Sequence, residues 1–182
     1  MAKVYVFLAN GFEEVEALIP IDVLRRGGVD VVTVSIMGNS KTVTAAHNVQ
    51  IVADAVMAEC NFCDADLLFL PGGMPGASNL YEHEGVRQAV ISQVQAGKKI
   101  AAICAAPIIL AGLGLLEGKK ATCHPSAEAG MKGAKLTHMP VTVAGNITTG
   151  QALGAAIPFA LELAKQLESD EAAEKVRKAI CW

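Results

Sequence analysis

The stretch KKIAAICAAPIIL, residues 98–110, places one thiol, Cys104, between an apolar run and a proline. A buried strand that turns sharply into a helix can hold the residue at the turn out at the top of a sheet, provided its neighbours are small. Ala102, Ala105 and Ala106 meet that demand, and Pro107 falls in the first helical turn, where proline is best tolerated. The pattern predicts a strand-to-helix elbow with Cys104 as a nucleophile. Oriented backbone N–H groups and the positive end of the following helix favour a thiolate there. The N–H of Ala105 can help to stabilise an oxyanion if a second donor faces it.

That second donor can come from LPGGMPG, where Gly72 and Gly73 let the main chain approach a substrate closely. The same loop lacks the lysine and the glycine spacing of a phosphate cradle. An acid can come from NGFEEVE, which offers Glu13, Glu14 and Glu16. Periodicity does not choose cleanly among them, although Glu16 has the apolar neighbours that favour burial, and a solvated first turn suits Glu13 and Glu14 better. A buried carboxyl keeps its proton to higher pH and can shuttle it to and from a thiolate. His124, in KATCHPSAE, precedes a candidate helix and is read as an accessory group, whereas His83 and His138 are read as surface residues. Free cysteine is usually packing, which is the reading for Cys60, Cys63, Cys123 and Cys181. Cys60 and Cys63 match C-x-x-C, but no second pair completes a zinc site, so no metal is expected.

These residues need a scaffold that brings three loops to one rim. Strand signals fall at Lys3 to Ala9, Val29 to Ile36, near Thr42, and at Val49 to Ala53. Others follow at Leu67 to Leu70, Lys99 to Ile103, Val141 to Ala144 and Ile147 to Thr149. Helical signals fall at Glu13 to Arg26, Glu84 to Ala96, Pro107 to Leu113, Ser126 to Met131, Gln151 to Leu167 and Glu171 to Lys178. Alternation of this kind predicts an α/β fold, a three-layer sandwich around a largely parallel sheet. Functional groups then gather beyond the carboxyl ends of the strands, at Ala9 to Phe12, Pro71 to Ser78 and Cys104 to Pro107. The first helix is apolar on almost every side between Ala17 and Leu24, with Asp22 its only acid there, so its outer face is expected to meet a second copy. Pro20 should bend it locally.

A chain of 182 residues fits one domain, residues 1–182, with a sizeable core. With 52% apolar, 18% charged and 4% aromatic residues, that core is mostly aliphatic. Net charge is −3 and no basic run exceeds two residues, which argues against nucleic acid as a partner. No run reaches the ~18 apolar residues of a membrane span, and five cysteines, an odd number, fit a reducing, cytoplasmic setting.

Taken together, LANGFEEVEALIPIDVLRRGG, FLPGGMPGA, AAICAAP and Cys123-His124-Pro125 resemble the ThiJ/PfpI family, and most of all its branch of the Parkinson's-associated protein deglycase, from about Lys3 to about Lys178. The resemblance implies a flavodoxin-like sandwich of the class I glutamine amidotransferase type and a homodimer. It maps the reactive cysteine onto Cys104, the protonated carboxyl onto Glu16, the oxyanion donors onto Gly73 and Ala105, the nearby histidine onto His124, and an interface aspartate onto Asp22. Arg26 matches a basic residue of the pocket mouth, while His47 and Gln151 stand where arginines are common. Ala105 stands where the protease-like branch has histidine, so peptidase activity loses its base, and no phosphate site supports a role in thiazole phosphate synthesis.

Two functions follow from that resemblance. The first is a cofactor-free enzyme of the glyoxalase III or deglycase type, taking methylglyoxal, glyoxal or glycated groups to hydroxy acids. The second is a redox sensor or holdase in which Cys104 is oxidised to a sulfinate held by Glu16.

Overall fold

The computed structural model describes residues 1–182. In chain order its elements are β1 (Lys3–Leu8), α1 (Glu14–Arg26), β2 (Asp30–Ser35), β3 (Thr42–Thr44), β4 (Gln50–Val52), β5 (Ala55–Val56), β6 (Leu67–Leu70), α2 (Gly76–Glu82), α3 (Glu84–Gln95), β7 (Lys99–Ile103), α4 (Pro107–Gly112), β8 (Lys120–Ala121), β9 (Lys135–Leu136), β10 (Val141–Ala144), β11 (Ile147–Gly150), α5 (Ala156–Leu167) and α6 (Asp170–Ala179). Seven strands form one sheet in the order β10-β11-β7-β6-β1-β2-β5. All its neighbours pair in parallel except β10 with β11.

The apolar runs explain the layering. Successive strand side chains point to opposite faces, so a run with no polar residue must feed two cores. In β1, Val4, Val6 and Leu8 enter the core beneath α1 and α5, while Tyr5 and Phe7 enter the core beneath α2, α3 and α4. β6 divides in the same way, Leu67 and Phe69 against Leu68 and Leu70, and so does β7, Ala101 and Ile103 against Ile100 and Ala102. The result is the expected three-layer α/β/α sandwich. Its central strands β7, β6 and β1 end side by side, which sets three loops on one rim.

Several local expectations change. The two weaker strand signals near Thr42 and at Val49 to Ala53 are β3 and β4, which pair as an antiparallel hairpin separate from the large sheet. The segment after Pro75 is the helix α2, not only a rim loop, and Pro125–Gly130 is a 3-10 turn. The helix expected from Gln151 begins at Ala156, after a 3-10 turn at Leu153–Ala155. α1 runs unbroken through the buried Pro20.

Much of the all-round apolar surface of α1 is covered by its own chain. Ala17, Ile21 and Leu24 enter the core, and Val23 packs with Ala160 and Val176. Leu18 stays 41% exposed. No helix is long and apolar enough to cross a membrane.

Candidate active site

Cys104 follows the last residue of β7 with φ +64°, in the left-handed region that side chains seldom adopt. Such a conformation costs of order 1–3 kcal/mol and persists only where the surroundings impose it. Here the Cys104 N–H donates to Gly150 O at 3.0 Å and Ala106 N–H donates to Ile103 O at 3.0 Å, which closes the turn. Ala105 and Ala106 are buried, so larger residues would not fit the elbow. The thiol is half-buried.

Gly72 explains the glycines of LPGGMPG. A Cβ there would collide with Glu16 Oε2 and lie 2.6 Å from the Cys104 Cβ, so the two reactive side chains approach each other across a residue that must be glycine. Gly73 sits at φ +89°, and a Cβ on it would collide with the Glu13 N. The carbonyl of Gly72 accepts from Glu13 N–H at 2.9 Å, tying this loop to the start of α1. The N–H groups of Gly73 and Ala105 face the Cys104 sulfur, and neither is spent on a backbone carbonyl.

The three glutamates separate by environment. Glu13 caps α1, its Oε2 accepting from Glu16 N–H at 2.7 Å. Glu14 was expected in solvent, but it is 8% exposed and its Oε2 lies 3.0 Å from His47 Nδ1. Against the effect of burial, its own backbone N–H and then this histidine, which comes from the β3–β4 hairpin, hold the Glu14 carboxyl below its ordinary range. Glu16 is 1% exposed, and its Oε2 has no hydrogen-bond partner of ordinary geometry. Its carboxyl faces the Cys104 thiol and the N–H groups of Leu153 and Gly72.

Burial pushes the Glu16 carboxyl up to about 7, with the nearby Glu13 charge adding to the effect. The Cys104 thiol is pushed up to about 12, first by burial and then by the charge and hydrogen bond of Glu16, against the opposing pull of the Gly73 and Ala105 N–H groups. The sequence expectation of a thiolate favoured by the helix terminus is thereby corrected: α4 has only six residues, and burial beside a carboxylate outweighs its dipole. The two groups titrate as a unit. One proton leaves near neutrality and the second is held far longer, so a thiolate forms when the remaining proton moves onto Glu16.

His124 is brought alongside by its backbone, whose N–H donates to Cys104 O at 2.9 Å. Its ring Nδ1 is engaged by Ser126, 2.8 Å from the hydroxyl and accepting from the N–H at 3.2 Å. Within one chain Arg26 does not reach the Cys104–Glu16 pair. It lies ten residues beyond Glu16 on α1, about 15 Å along the axis, and pairs with the exposed Asp22 at 2.6 Å. Gln151 donates to His138 O at 3.3 Å. Of the four cysteines expected to be packing, Cys123 is buried in the core and Cys60 packs against it, whereas Cys63 and Cys181 are exposed and do not pack, a correction to the expectation. Glu13, Glu14 and His47 hold ligand-type atoms within 4.8 Å of one another, but the first caps a helix and the other two are paired. The contact of Leu153 N–H with Glu16 had no local sequence signal, because it depends on β11 delivering residues 151–155 to the rim.

Residues 2–166 match the DJ-1/PfpI family. Protein DJ-1 homolog B of Arabidopsis thaliana is 39% identical over 176 residues, 96% of this chain and 40% of that protein, so the chain spans well under half of its length. A glutathione-independent glyoxalase of Caenorhabditis elegans is 31% identical over 93% of this chain and 90% of its own. Among solved structures, a cysteine-to-alanine variant of a DJ-1 superfamily protein from Salmonella typhimurium superposes with a TM-score of 0.95 at 34% identity, covering 100% of this chain and 99% of its own.

Proposed function

The chain belongs to the DJ-1/PfpI family, and from that premise we propose that it is a cofactor-independent cysteine enzyme converting small 2-oxoaldehydes, such as methylglyoxal and glyoxal, into 2-hydroxy acids. The observation that carries this reading is the approach of Cys104 to a buried Glu16 across Gly72. The C. elegans glyoxalase supports it at family level.

The proton inventory closes without an oxidant. With the shared proton on Glu16, the thiolate attacks the aldehyde carbon, and the developing oxyanion meets the N–H groups of Gly73 and Ala105. Glu16 protonates that oxygen, giving a hemithioacetal, and its carboxylate then removes the hydrogen from the same carbon. The enediol so formed takes the proton back at the neighbouring carbon, while the hydroxyl proton passes to the neighbouring oxygen. The product is a thioester of the 2-hydroxy acid, which water cleaves to free acid and thiol. His124, with its Nδ1 held by Ser126, serves as an accessory that orients the Cys104 loop through its backbone. Glycated amines or thiols could enter the same chemistry.

The chain acts as a homodimer in this reading. Support comes from Leu18 and from an apolar groove formed with Ile19, Val23, Ile157 and Ile180. Purified protein incubated with methylglyoxal should form lactate catalytically, and a Cys104→Ser variant should not; equal lactate from both would sink the reading.

A second reading rests on the same Glu16, protonated near neutrality and able to donate to an oxidised sulfur: Cys104 as a redox sensor. Intact mass during peroxide titration should then show two oxygens added at Cys104 before any other thiol reacts, and prior oxidation of the exposed Cys63 or Cys181 would count against it.

A further inference from the structure

Two exposed apolar side chains stand next to the atoms that hold the reacting pair. Gly73 N–H faces the Cys104 sulfur and the next residue is Met74, 57% exposed. The N–H of Leu153 itself faces the Glu16 carboxyl, and its side chain is 47% exposed. Consecutive Cα atoms are about 3.8 Å apart, so both side chains spring from backbone within a few ångströms of the chemistry. Neither belongs to a hydrophobic cluster of the fold. Stability therefore gives no reason for apolar residues at these two places.

Both positions are fixed by their own loops. Ser78 Oγ lies 3.8 Å from Met74 Sδ, and Ala77 N–H donates to Gly73 O at 2.9 Å, so the Met74 segment is closed onto α2. Gln151 N–H donates to Pro140 O at 2.9 Å and Ala155 N–H donates to Ala152 O at 2.8 Å, bracketing Leu153. The charge around them is acidic. The first turn of α1 contributes Glu13, Glu14 and Glu16; His47 is paired with Glu14, the Nδ1 of His124 is held by Ser126, and Arg26 is paired with Asp22 at the far end of the helix.

We propose, resting on the aldehyde reading above, that Met74 and Leu153 form an apolar subsite over the Cys104–Glu16 pair and select 2-oxoaldehydes with an uncharged, apolar substituent. The subsite packs against the group on the ketone carbon while the thiol engages the aldehyde carbon. Substrates without such a group, or with an anionic one, gain nothing there.

The test is the ratio of kcat/KM for phenylglyoxal to that for glyoxal. In the wild type phenylglyoxal should be favoured, and para-carboxyphenylglyoxal should fall below phenylglyoxal. Leu153→Ser and Met74→Ser should each lower the phenylglyoxal-to-glyoxal ratio, by about tenfold for the larger effect, the scale set by losing a methylene-sized apolar contact in a pocket. The thermal unfolding midpoint of each variant should stay near the wild-type value, which separates selectivity from a folding defect. Val143→Ser, at an equally exposed position, 47%, but on the edge strand β10, should leave the ratio unchanged. Retained activity with an unchanged ratio in both variants overturns the subsite alone. Absence of turnover of either aldehyde by the wild type overturns the aldehyde reading and the subsite with it.

Discussion

Replacing Glu16 by glutamine tests the burial of that carboxyl through stability, independently of any substrate. An ordinary glutamate at 4.5 in the unfolded chain becomes one at about 7 in the folded protein. Between those values the folded chain holds a proton that the unfolded chain has released, so folding stability falls as pH rises through this window. The contribution is fully present below 4.5 and lost above about 7. A gap of about 2.5 in pKa at 1.36 kcal/mol each amounts to about 3 kcal/mol. Glutamine mimics the protonated acid in shape and cannot ionise, so the variant should lack this loss. The thiol does not disturb the comparison, because Cys104 is held neutral until far above this window. Urea denaturation at fixed chain concentration, repeated from about pH 4 to about pH 8, gives the difference in unfolding free energy between variant and wild type. That difference should rise by about 3 kcal/mol in favour of Glu16→Gln as pH increases. A flat difference, or one that falls, would refute a buried carboxyl facing the thiol.

Two further outcomes follow from packing. Gly72→Ala inserts a methyl group between Glu16 Oε2 and the Cys104 Cβ, with Ile103 O 2.9 Å away, so there is no free direction in which to yield. It should cost about 1–3 kcal/mol of stability and, by displacing the pair, lower kcat/KM about a hundredfold; wild-type turnover of methylglyoxal would contradict the placement. Leu18→Glu puts a charge on the one well-exposed apolar position of α1 and should shift sedimentation from the proposed dimer towards monomer, while unchanged sedimentation would exclude this face as the contact.

The layering and the elbow were legible because they are written in local pattern. Leu67 to Leu70, Lys99 to Ile103 and Val141 to Ala144 are strands with the bounds their apolar runs suggest. The small residues around Cys104 announced a strained turn, and the structure has φ +64° there. The rest depended on contacts distant in sequence. The buried Glu14 has a partner because His47 arrives from a hairpin more than thirty residues away. β5, β8 and β9 have two residues each, too few to show any period. The thiolate expectation missed because a helix terminus is visible in sequence, whereas the burial and the facing carboxylate that oppose it are properties of the folded rim. Glu16 itself was singled out by resemblance, not by period; what distinguishes it physically is its position over Gly72.

The central claim is that Cys104 and Glu16 share one working proton, and the pH dependence of kcat/KM for methylglyoxal examines it most directly. With Glu16 near 7 and the thiol near 12, the one-proton form dominates above neutrality, so the rate should rise through a midpoint near 7 and then stay level to about pH 9. In Glu16→Gln that limb should vanish, leaving a slow rate that climbs only towards alkaline pH. A wild-type profile that is flat across this range, or a Glu16→Gln profile that keeps the midpoint near 7, would contradict the shared proton.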